Sequence, residues 1–220
     1  MFKNKRIIAV IPARSGSKRL PNKNIKNFNG YPLLYWSIIA AKKVKIIDKI
    51  YVSTNSLKIK KIAEKFGALV PFLRPAKYST SKAPSEELIL HLLKNLKFQI
   101  DYLVLLQPTS PLRNHKDVES SLKQSIKKEL KSLISVTNLS EHKLNLISNT
   151  SSKIKILNKK KVNKFKYING SIYILKVSDF LTKKKIISSS TKFFETKKNN
   201  SIDIDTRFDF EVAKLLSKKI

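Results

Sequence analysis

The sequence contains no cysteine, which excludes disulfides, thiolate nucleophiles and cysteine-ligated metal sites. It also lacks an apolar stretch long enough to span a bilayer. The first residues do not read as a secretory signal, because Pro12 and Arg14 interrupt the early apolar run and no small-residue cleavage site follows. No Gly-x-Ser-x-Gly elbow is present, which argues against acyl transfer. We therefore expect a cytoplasmic protein without a membrane partner.

Acidic residues are scarce: 15 Asp and Glu face 46 Lys and Arg, for a net charge of +31. Such an excess is typical of proteins that bind nucleic acid or membrane surfaces. The lysines are spread along the chain, however, and no basic segment is interleaved with aromatic residues for base stacking. We interpret the lysine excess as the result of a low-GC genome. The positive charge that it creates favours anionic substrates, and we expect no nucleic-acid partner. A basic nucleic-acid-binding protein without catalysis is the alternative.

Strand-like and helix-like segments alternate along most of the chain. Alternation of this kind predicts an α/β fold with a doubly wound, mostly parallel sheet and helices on both faces. In the first helix, Leu34, Ile38 and Ala41 share one face, and Gly67 ends the second helix. Asn114 caps a later helix. The predicted strands are 6–12, 49–54, 102–106 and 133–137, and the predicted helices besides the one that Asn114 caps are 33–44, 57–66, 85–96 and 208–216.

The regular alternation stops at about residue 141 and resumes near residue 194. Short strands, polar turns and lysine-rich segments replace it, with one clear strand at 171–175 that the pair Asn169-Gly170 opens. We predict that 1–220 form a single domain in which 141–194 are an inserted β-rich lobe for substrate recognition or dimer contact. Three polar loops follow strands, at 13–24, 107–113 and 203–207. Ligands of open α/β sheets bind at such strand ends.

The first of these loops, within IPARSGSKRLPNKN at 11–24, is crowded with cations. It is neither a Walker A loop nor a Gly-x-Gly-x-x-Gly turn. Gly16 allows the backbone to turn sharply and present N–H groups to an anion. Arg14 adds a planar fork for phosphate oxygens, and Lys18 and Lys23 add point charges. Because these cations repel one another, we predict a phosphate-binding loop in preference to a solvated basic turn.

The second loop, LLQPTSPLR, follows a buried strand. Gln107 stands at the strand end, where its amide can read a base, a ribose or a sugar, and Ser110 and Arg113 offer further polar contacts. Two prolines stiffen the turn. The alternative is a simple Pro-rich turn before a helix cap.

The third loop, SIDIDTR, contains two aspartates. If it is extended, Asp203 and Asp205 share a face with their Cα atoms about 7 Å apart. Two carboxylates so placed can hold Mg²⁺, whose other ligands come from water and phosphates. The alternative is that one aspartate caps the last helix. The three histidines, His91, His115 and His142, do not have metal-ligand spacing.

Six segments occur in order: IPARSGSKRLPNKNI, IYVSTN, PFLRPA, VLLQPTSPLR, NGSIYI and SIDIDT. Together they resemble the CMP-sialic acid synthetase (acylneuraminate cytidylyltransferase) family, which includes legionaminic and pseudaminic acid enzymes, over essentially the whole chain. The resemblance implies a Rossmann-like nucleotidyltransferase fold and a homodimer. It also implies that CTP and a 2-keto sugar acid give a CMP-sugar and pyrophosphate, by direct attack of the anomeric hydroxyl on the α-phosphate.

The resemblance further implies roles for individual residues. The implied catalytic residues are Arg14, Lys23, Asp203 and Asp205, of which the two aspartates also bind Mg²⁺. The implied nucleotide-binding residues are Arg14, Ser17, Lys18, Lys23, Asn24, Ser85 and Gln107. The implied sugar-binding residues are Gln107, Lys143, Tyr167 and Asn169.

Three positions depart from the family pattern. Ser81 stands where the family usually has Asp, and Tyr167 stands where it often has Arg. The segment that in sialate enzymes reads His-Pro-x-Lys is 142–145, HKLN, here. These differences leave CTP as the better-supported substrate and favour a variant nonulosonic acid as acceptor. The alternatives are a Kdo cytidylyltransferase, which the Gln-Pro-Thr-Ser-Pro-Leu-Arg segment argues against, and a pseudo-enzyme that binds nucleotide without turnover.

Overall fold

A six-stranded sheet flanked by helices forms the body of the protein. The computed structural model describes residues 2–138, 147–150, 153–156 and 166–217. The strands are β1 (Ile7–Pro12), β2 (Asn27–Phe28), β3 (Tyr31–Pro32), β4 (Lys49–Ser53), β5 (Tyr102–Leu105), β6 (Ser132–Asn138), β7 (Ile147–Thr150), β8 (Lys153–Ile156), β9 (Lys166–Lys176) and β10 (Lys192–Glu195). The helices are α1 (Leu33–Lys42), α2 (Leu57–Lys65), α3 (Ser85–Asn95), α4 (His115–Lys127), α5 (Val177–Lys183) and α6 (Arg207–Ser217).

The strand order in the main sheet is β10-β6-β9-β5-β1-β4. β1 pairs parallel with β4 and β5, and β10 pairs parallel with β6. β9 alone runs antiparallel, between β5 and β6. The predicted α/β fold with a mostly parallel sheet is confirmed. Because β9 is reversed, its first half lies beyond the carboxyl end of β5, which brings the Asn169-Gly170 pair to the edge where ligands bind in such sheets.

Helices cover both faces of this sheet, as the sequence predicts. Ile7, Ala9 and Ile11 of β1 pack into one core with α1, α2 and α4. Ile8 and Val10 of the same strand pack into a second core with α3 and α5. A strand buried on both faces needs a continuous apolar sequence, which explains the run IIAVI. None of the helices in the described ranges is long and apolar enough to cross a membrane.

Two helix ends also form at the residues that the sequence predicts. Gly67 has φ +83°, and its N–H donates to the Glu64 carbonyl while that of Ala68 donates to the Ala63 carbonyl. These two bonds form a Schellman motif, which requires the left-handed conformation that glycine adopts without strain. Asn114 caps α4 as predicted, since its Oδ1 accepts the Lys116 N–H at 2.9 Å.

The predicted bounds of the inserted lobe, 141–194, are too wide. β9 and β10 are hydrogen-bonded strands of the main sheet, whereas β7 and β8 form a separate two-stranded sheet. The strand predicted at 171–175 extends over 166–176, and Asn169-Gly170 lie inside it at a shift in the β6–β9 register instead of opening it. Local sequence could not show this, because the partners of β9 are distant in the chain. A recognition or dimer role for the remainder stays a prediction.

Candidate active site

A cavity of about 420 Å³ opens where β1 and β5 end. It collects residues from four distant parts of the sequence. The sequence-predicted residues that line it are Arg14, Ser17, Lys18, Lys23, Asn24, Ser85, Gln107 and Asp205. Arg19, Arg74, Ser81 and Thr109 line it as well. Ser81, the position where the resembling family usually has Asp, therefore faces the same cavity as the nucleotide motifs.

The cationic loop at the cavity mouth is held in shape by two asparagines. Gly16 has φ +74°, the left-handed region that favours glycine. The backbone N–H of Ser15 donates to Asn55 Oδ1 at 2.9 Å, and the buried Asn24 donates to the Arg14 carbonyl at 2.9 Å. The loop is thus a preformed turn, and its cations Arg14, Lys18 and Lys23 line the cavity.

The amino-terminal loop and the carboxyl-terminal segment meet at Asp205. Lys23 Nζ lies 3.0 Å from Asp205 Oδ1 and donates to the Ile204 carbonyl at 2.8 Å. Arg19 Nη2 lies 2.8 Å from Asp205 Oδ2. The two regions are more than 180 residues apart in sequence, and their predicted convergence at one site is observed.

Neither predicted aspartate caps the last helix. Thr206 and Asp209 form a reciprocal capping box at the start of α6: Asp209 Oδ2 accepts the Thr206 N–H at 2.7 Å, and Thr206 Oγ1 accepts the Asp209 N–H at 3.2 Å. Asp209 Oδ2 also accepts the Asp205 N–H at 3.0 Å. The helix cap therefore fixes the backbone of Asp205, and neither the Asp203 nor the Asp205 carboxylate is used for capping.

Asp203 faces a recess between Thr109, Gln107 and Gly170. A Cβ at Gly170 would lie 3.6 Å from both Asp203 Oδ2 and Gln107 Oε1. Asp203 keeps solvent-exposed surface, so its desolvation in the recess is partial. That desolvation raises the pKa of Asp203, the hydrogen bond with Thr109 opposes the rise, and the negative charge of Asp205 adds to it. The two carboxylates repel each other, which a bound cation would relieve.

These two carboxylates are the oxygen donors that a hard divalent cation prefers. In the described ranges, no group of three or more Asp, Glu, His or Cys side chains could hold a metal ion. A complete protein cage is therefore not formed by those residues. Asp205 lines the cationic cavity and Asp203 lies in the recess beside Gln107, an arrangement that fits a cation such as Mg²⁺, which takes its remaining ligands from water and phosphate oxygens.

Gln107 is positioned by a buried arginine. Arg113 is 6% exposed, and it donates to the Gln107 carbonyl at 2.5 Å, the Ser171 carbonyl at 2.7 Å and Ser37 Oγ at 2.9 Å. Burial lowers the pKa of Arg113 to about 9, so it stays charged at neutral pH. The prediction that Arg113 offers contacts to a ligand is wrong, because its guanidinium is buried and donates to protein groups. Ser110 is fully buried and is not among the residues that line the cavity.

Arg74 is a site residue that the sequence reasoning missed. It lines the cavity and is only 4% exposed, yet its Nε and Nη2 have no hydrogen-bond partner in the part of the chain that the structure describes. Desolvation, together with the charge of Arg14, lowers its pKa to about 10. A buried cation with unused donors indicates an oxygen-rich ligand. The sequence feature that could have indicated Arg74 is its place between the two prolines of PFLRPA.

The residues predicted for sugar binding do not assemble in the cavity, apart from Gln107. Lys143 lies outside the described residues. Tyr167 is 39% exposed and pairs with Thr137 in the sheet. Asn169 is 2% exposed, and its amide oxygen and both amide hydrogens are bonded to protein groups. Direct sugar contact by Asn169 is therefore contradicted, because no part of its amide remains for a ligand.

We predict that Asp203→Asn makes the fold more stable at neutral pH. The pKa of Asp203 is higher in the folded protein than its ordinary value of 3.8, so ionisation disfavours the folded state. Stability therefore falls as the pH rises from that ordinary value through the raised pKa. Because water still screens this residue, we expect a rise of about 1–2 °C in Tm. Thermal melts should show this gain vanishing towards pH 4; a lower Tm at pH 7 would contradict it.

The chain is similar in sequence and in fold to known cytidylyltransferases. The model of the cytidylyltransferase family matches residues 8–217. The chain is 35% identical to the CMP-N,N'-diacetyllegionaminic acid synthase of Legionella pneumophila, over 96% of each chain. It is 34% identical to the N-acylneuraminate cytidylyltransferase of Escherichia coli, over 97% of this chain and 52% of that one. A structure of CMP:2-keto-3-deoxy-manno-octonic acid synthetase complexed with CTP shares the fold, with a TM-score of 0.74, 16% identity, and coverage of 98% and 100%.

Proposed function

Because the chain belongs to the cytidylyltransferase family, we propose that it transfers the cytidylyl group of CTP to a sialic-acid-like 2-keto sugar acid and releases pyrophosphate. The observation that carries this proposal is the cavity in which Lys23 and Arg19 meet Asp205. That cavity combines cations for a triphosphate with the carboxylate of Asp205, and Asp203 lies in the adjoining recess. Relatives that cover the chain and are named for legionaminic and neuraminic acids support a nonulosonic acceptor.

The residues of the cavity would act by positioning and by charge. The anomeric hydroxyl of the acceptor attacks the α-phosphorus and gives up its proton to solvent, the bond to the β-phosphate breaks, and pyrophosphate leaves. Arg14, Lys18 and Lys23 stabilise the negative charge that builds on the phosphate oxygens. Ser17, Asn24 and Ser85 bind the nucleotide, and Gln107 contacts it where it meets the sugar. No covalent enzyme intermediate is needed.

Mg²⁺ is part of this proposal, with Asp203 and Asp205 as its protein ligands. When bound, it would neutralise charge on the phosphates and the departing pyrophosphate. Lys23 and Arg19 occupy both oxygens of Asp205, and phosphate oxygens would compete for these same cations. CTP therefore draws the cations away from Asp205 and makes that carboxylate available.

The acceptor is proposed to be a variant nonulosonic acid. Its support is the 35% identity to a legionaminic acid enzyme together with Tyr167 at a position where the resembling family often has arginine. We also propose a cytoplasmic homodimer, since CTP is supplied in that compartment and the resembling family is dimeric. The mass in solution, measured by light scattering, tests the dimer independently of activity.

The test is a pyrophosphate-release assay with purified protein, Mg²⁺ and one nucleotide at a time. The acceptors are sialic, legionaminic, pseudaminic and Kdo acids. The proposal requires release with CTP, not with ATP, GTP or UTP, and only with a nonulosonic acid. Release with Kdo alone would favour the Kdo enzyme. CTP binding without release from any acceptor would favour a pseudo-enzyme, and salt-dependent duplex binding without CTP affinity would favour a nucleic-acid-binding protein.

A further inference from the structure

Five buried polar side chains form a network behind the active-site cavity. Ser135 and Thr137 come from β6, and Asn169 comes from β9. Thr196 follows β10, and Ser201 follows the short 3-10 turn after it. None is more than 6% exposed. The network takes no direct part in the chemistry proposed above.

The side-chain amide of Asn169 lies at the centre of this network. Asn169 donates both amide hydrogens, to Thr137 Oγ1 at 2.8 Å and to Thr196 Oγ1 at 2.7 Å. These hydroxyls keep their own hydrogens for further bonds: Thr137 donates to Ser201 Oγ at 2.8 Å, and Thr196 Oγ1 and Ser201 Oγ share a hydroxyl–hydroxyl bond of 2.9 Å. Ser201 in turn donates to the Lys197 carbonyl at 2.7 Å. At the other end, Asn169 Oδ1 accepts from Ser135 Oγ and from the Ser171 N–H.

The two ends of this network lie close to Asp203 in different ways: Asn169 is next to Gly170, and Ser201 is two residues before Asp203 in the sequence. Asn169 immediately precedes Gly170, whose Cβ position lies 3.6 Å from Asp203 Oδ2. Ser201 opens the segment 201–205, which is neither helix nor strand. That segment is anchored again at Ile204, whose N–H donates to the Thr109 carbonyl at 2.8 Å. Asp203 lies between these two anchors and cannot rely on a sheet ladder for its position.

We propose that this network is a positioning device that holds the Asp203 carboxylate at the distance and angle its role requires, with Ser201 as the decisive link. The inference rests on the proposed function. Ordering an irregular segment costs conformational entropy, and a fully satisfied buried network can supply the opposing stabilisation. Asn169 then acts on the reaction through Asp203, and not by touching the sugar.

The test compares Ser201→Ala and Thr137→Val with the unaltered protein in the pyrophosphate-release assay. Ser201→Ala removes the bonds that join Ser201 to both Thr137 and Thr196. Thr137→Val removes only the first of these bonds, and valine preserves the shape of Thr137. We expect kcat to fall about 10-fold or more in Ser201→Ala, as for other losses behind a metal ligand, and by a smaller factor in Thr137→Val, with the KM for CTP within about twofold in both. The Mg²⁺ concentration for half-maximal rate should rise. Thr137→Ser, which keeps the hydroxyl, should restore the rate.

Ser132→Ala is the matched control. Ser132 lies at the opposite end of β6, is 6% exposed, and shares a hydroxyl–hydroxyl bond of 2.7 Å with Thr191. It should lose comparable stability but keep full kcat. Full rate and unchanged Mg²⁺ dependence in Ser201→Ala, or equal losses in Ser132→Ala, would overturn the inference. If Ser201→Ala does not fold, Thr137→Val decides by the same criteria. An unaltered protein without CTP-dependent release would overturn the proposed function as well.

Discussion

Replacing Asp205 by asparagine should reduce turnover by about 1,000-fold, because it removes a charge that acts on the reacting phosphates. Asparagine has nearly the same shape but cannot balance a divalent cation. Lys23 and Arg19 would lose their ion-pair partner, so we also expect Tm to fall by about 2–4 °C. CTP affinity measured without Mg²⁺ should change little or increase, since both cations become available to phosphate oxygens.

Asp101→Asn is the matched control for this experiment. Asp101 also holds a lysine, Lys5 at 3.2 Å, and accepts the Arg6 N–H at 2.9 Å. It precedes β5 and therefore lies at the opposite edge of the sheet from the cavity. It should lose similar stability and keep full turnover. An Asp205→Asn protein with more than about a tenth of the normal rate would contradict the assignment of this carboxylate to the reaction.

Replacing Arg74 by methionine should weaken CTP binding about 100-fold and stabilise the protein at the same time. The unused Nε and Nη2 donors each offer a charged hydrogen bond of about 1.5–3 kcal/mol to an oxygen of the ligand. In the protein alone, the same group is a buried cation beside Arg14. Removing it relieves desolvation and repulsion, so we expect a rise of roughly 2–4 °C in Tm.

Calorimetric titration with CTP and thermal melts measure these two effects separately. Arg207→Met, which removes an exposed arginine on α6, should change neither. Arg74→Lys keeps the charge but loses the planar fork, so its affinity should be intermediate. If Arg74→Met binds CTP normally, Arg74 does not face the nucleotide. If it unfolds more easily than the unaltered protein, Arg74 has partners that stabilise the fold.

Local signals predicted much of the fold and part of the site. Some features depend on only a few neighbouring residues, and the local sequence is sufficient to predict them. They are the apolar run of β1, the glycine that ends α2 and the Asn114 cap. The loops after β1 and β5 could be placed at one edge because parallel strands end on the same side of a sheet. The resemblance to the CMP-sialic acid synthetase family is likewise confirmed by relatives that cover the chain.

The errors concern residues whose environment is made by distant segments. Asn169 looked like a ligand contact but is buried by β6 and β10. Arg113 looked like a loop cation but holds the Gln107 carbonyl from inside the protein. Arg74 was passed over because its unused donors become visible only once neighbouring segments bury it. Burial and hydrogen-bond satisfaction depend on the whole packing, and local pattern carries little information about either.

The sequence alone determined the α/β class, the strand ends that carry polar loops, and the family, since these depend on periodicity and on ordered motifs. Tertiary structure decided that β9 enters the sheet in reverse, that Arg19 and Lys23 reach Asp205, and that a cation without a protein partner lines the cavity. The physical reason is range: propensities and caps act within a few residues, whereas the site is assembled by contacts between segments more than 180 residues apart.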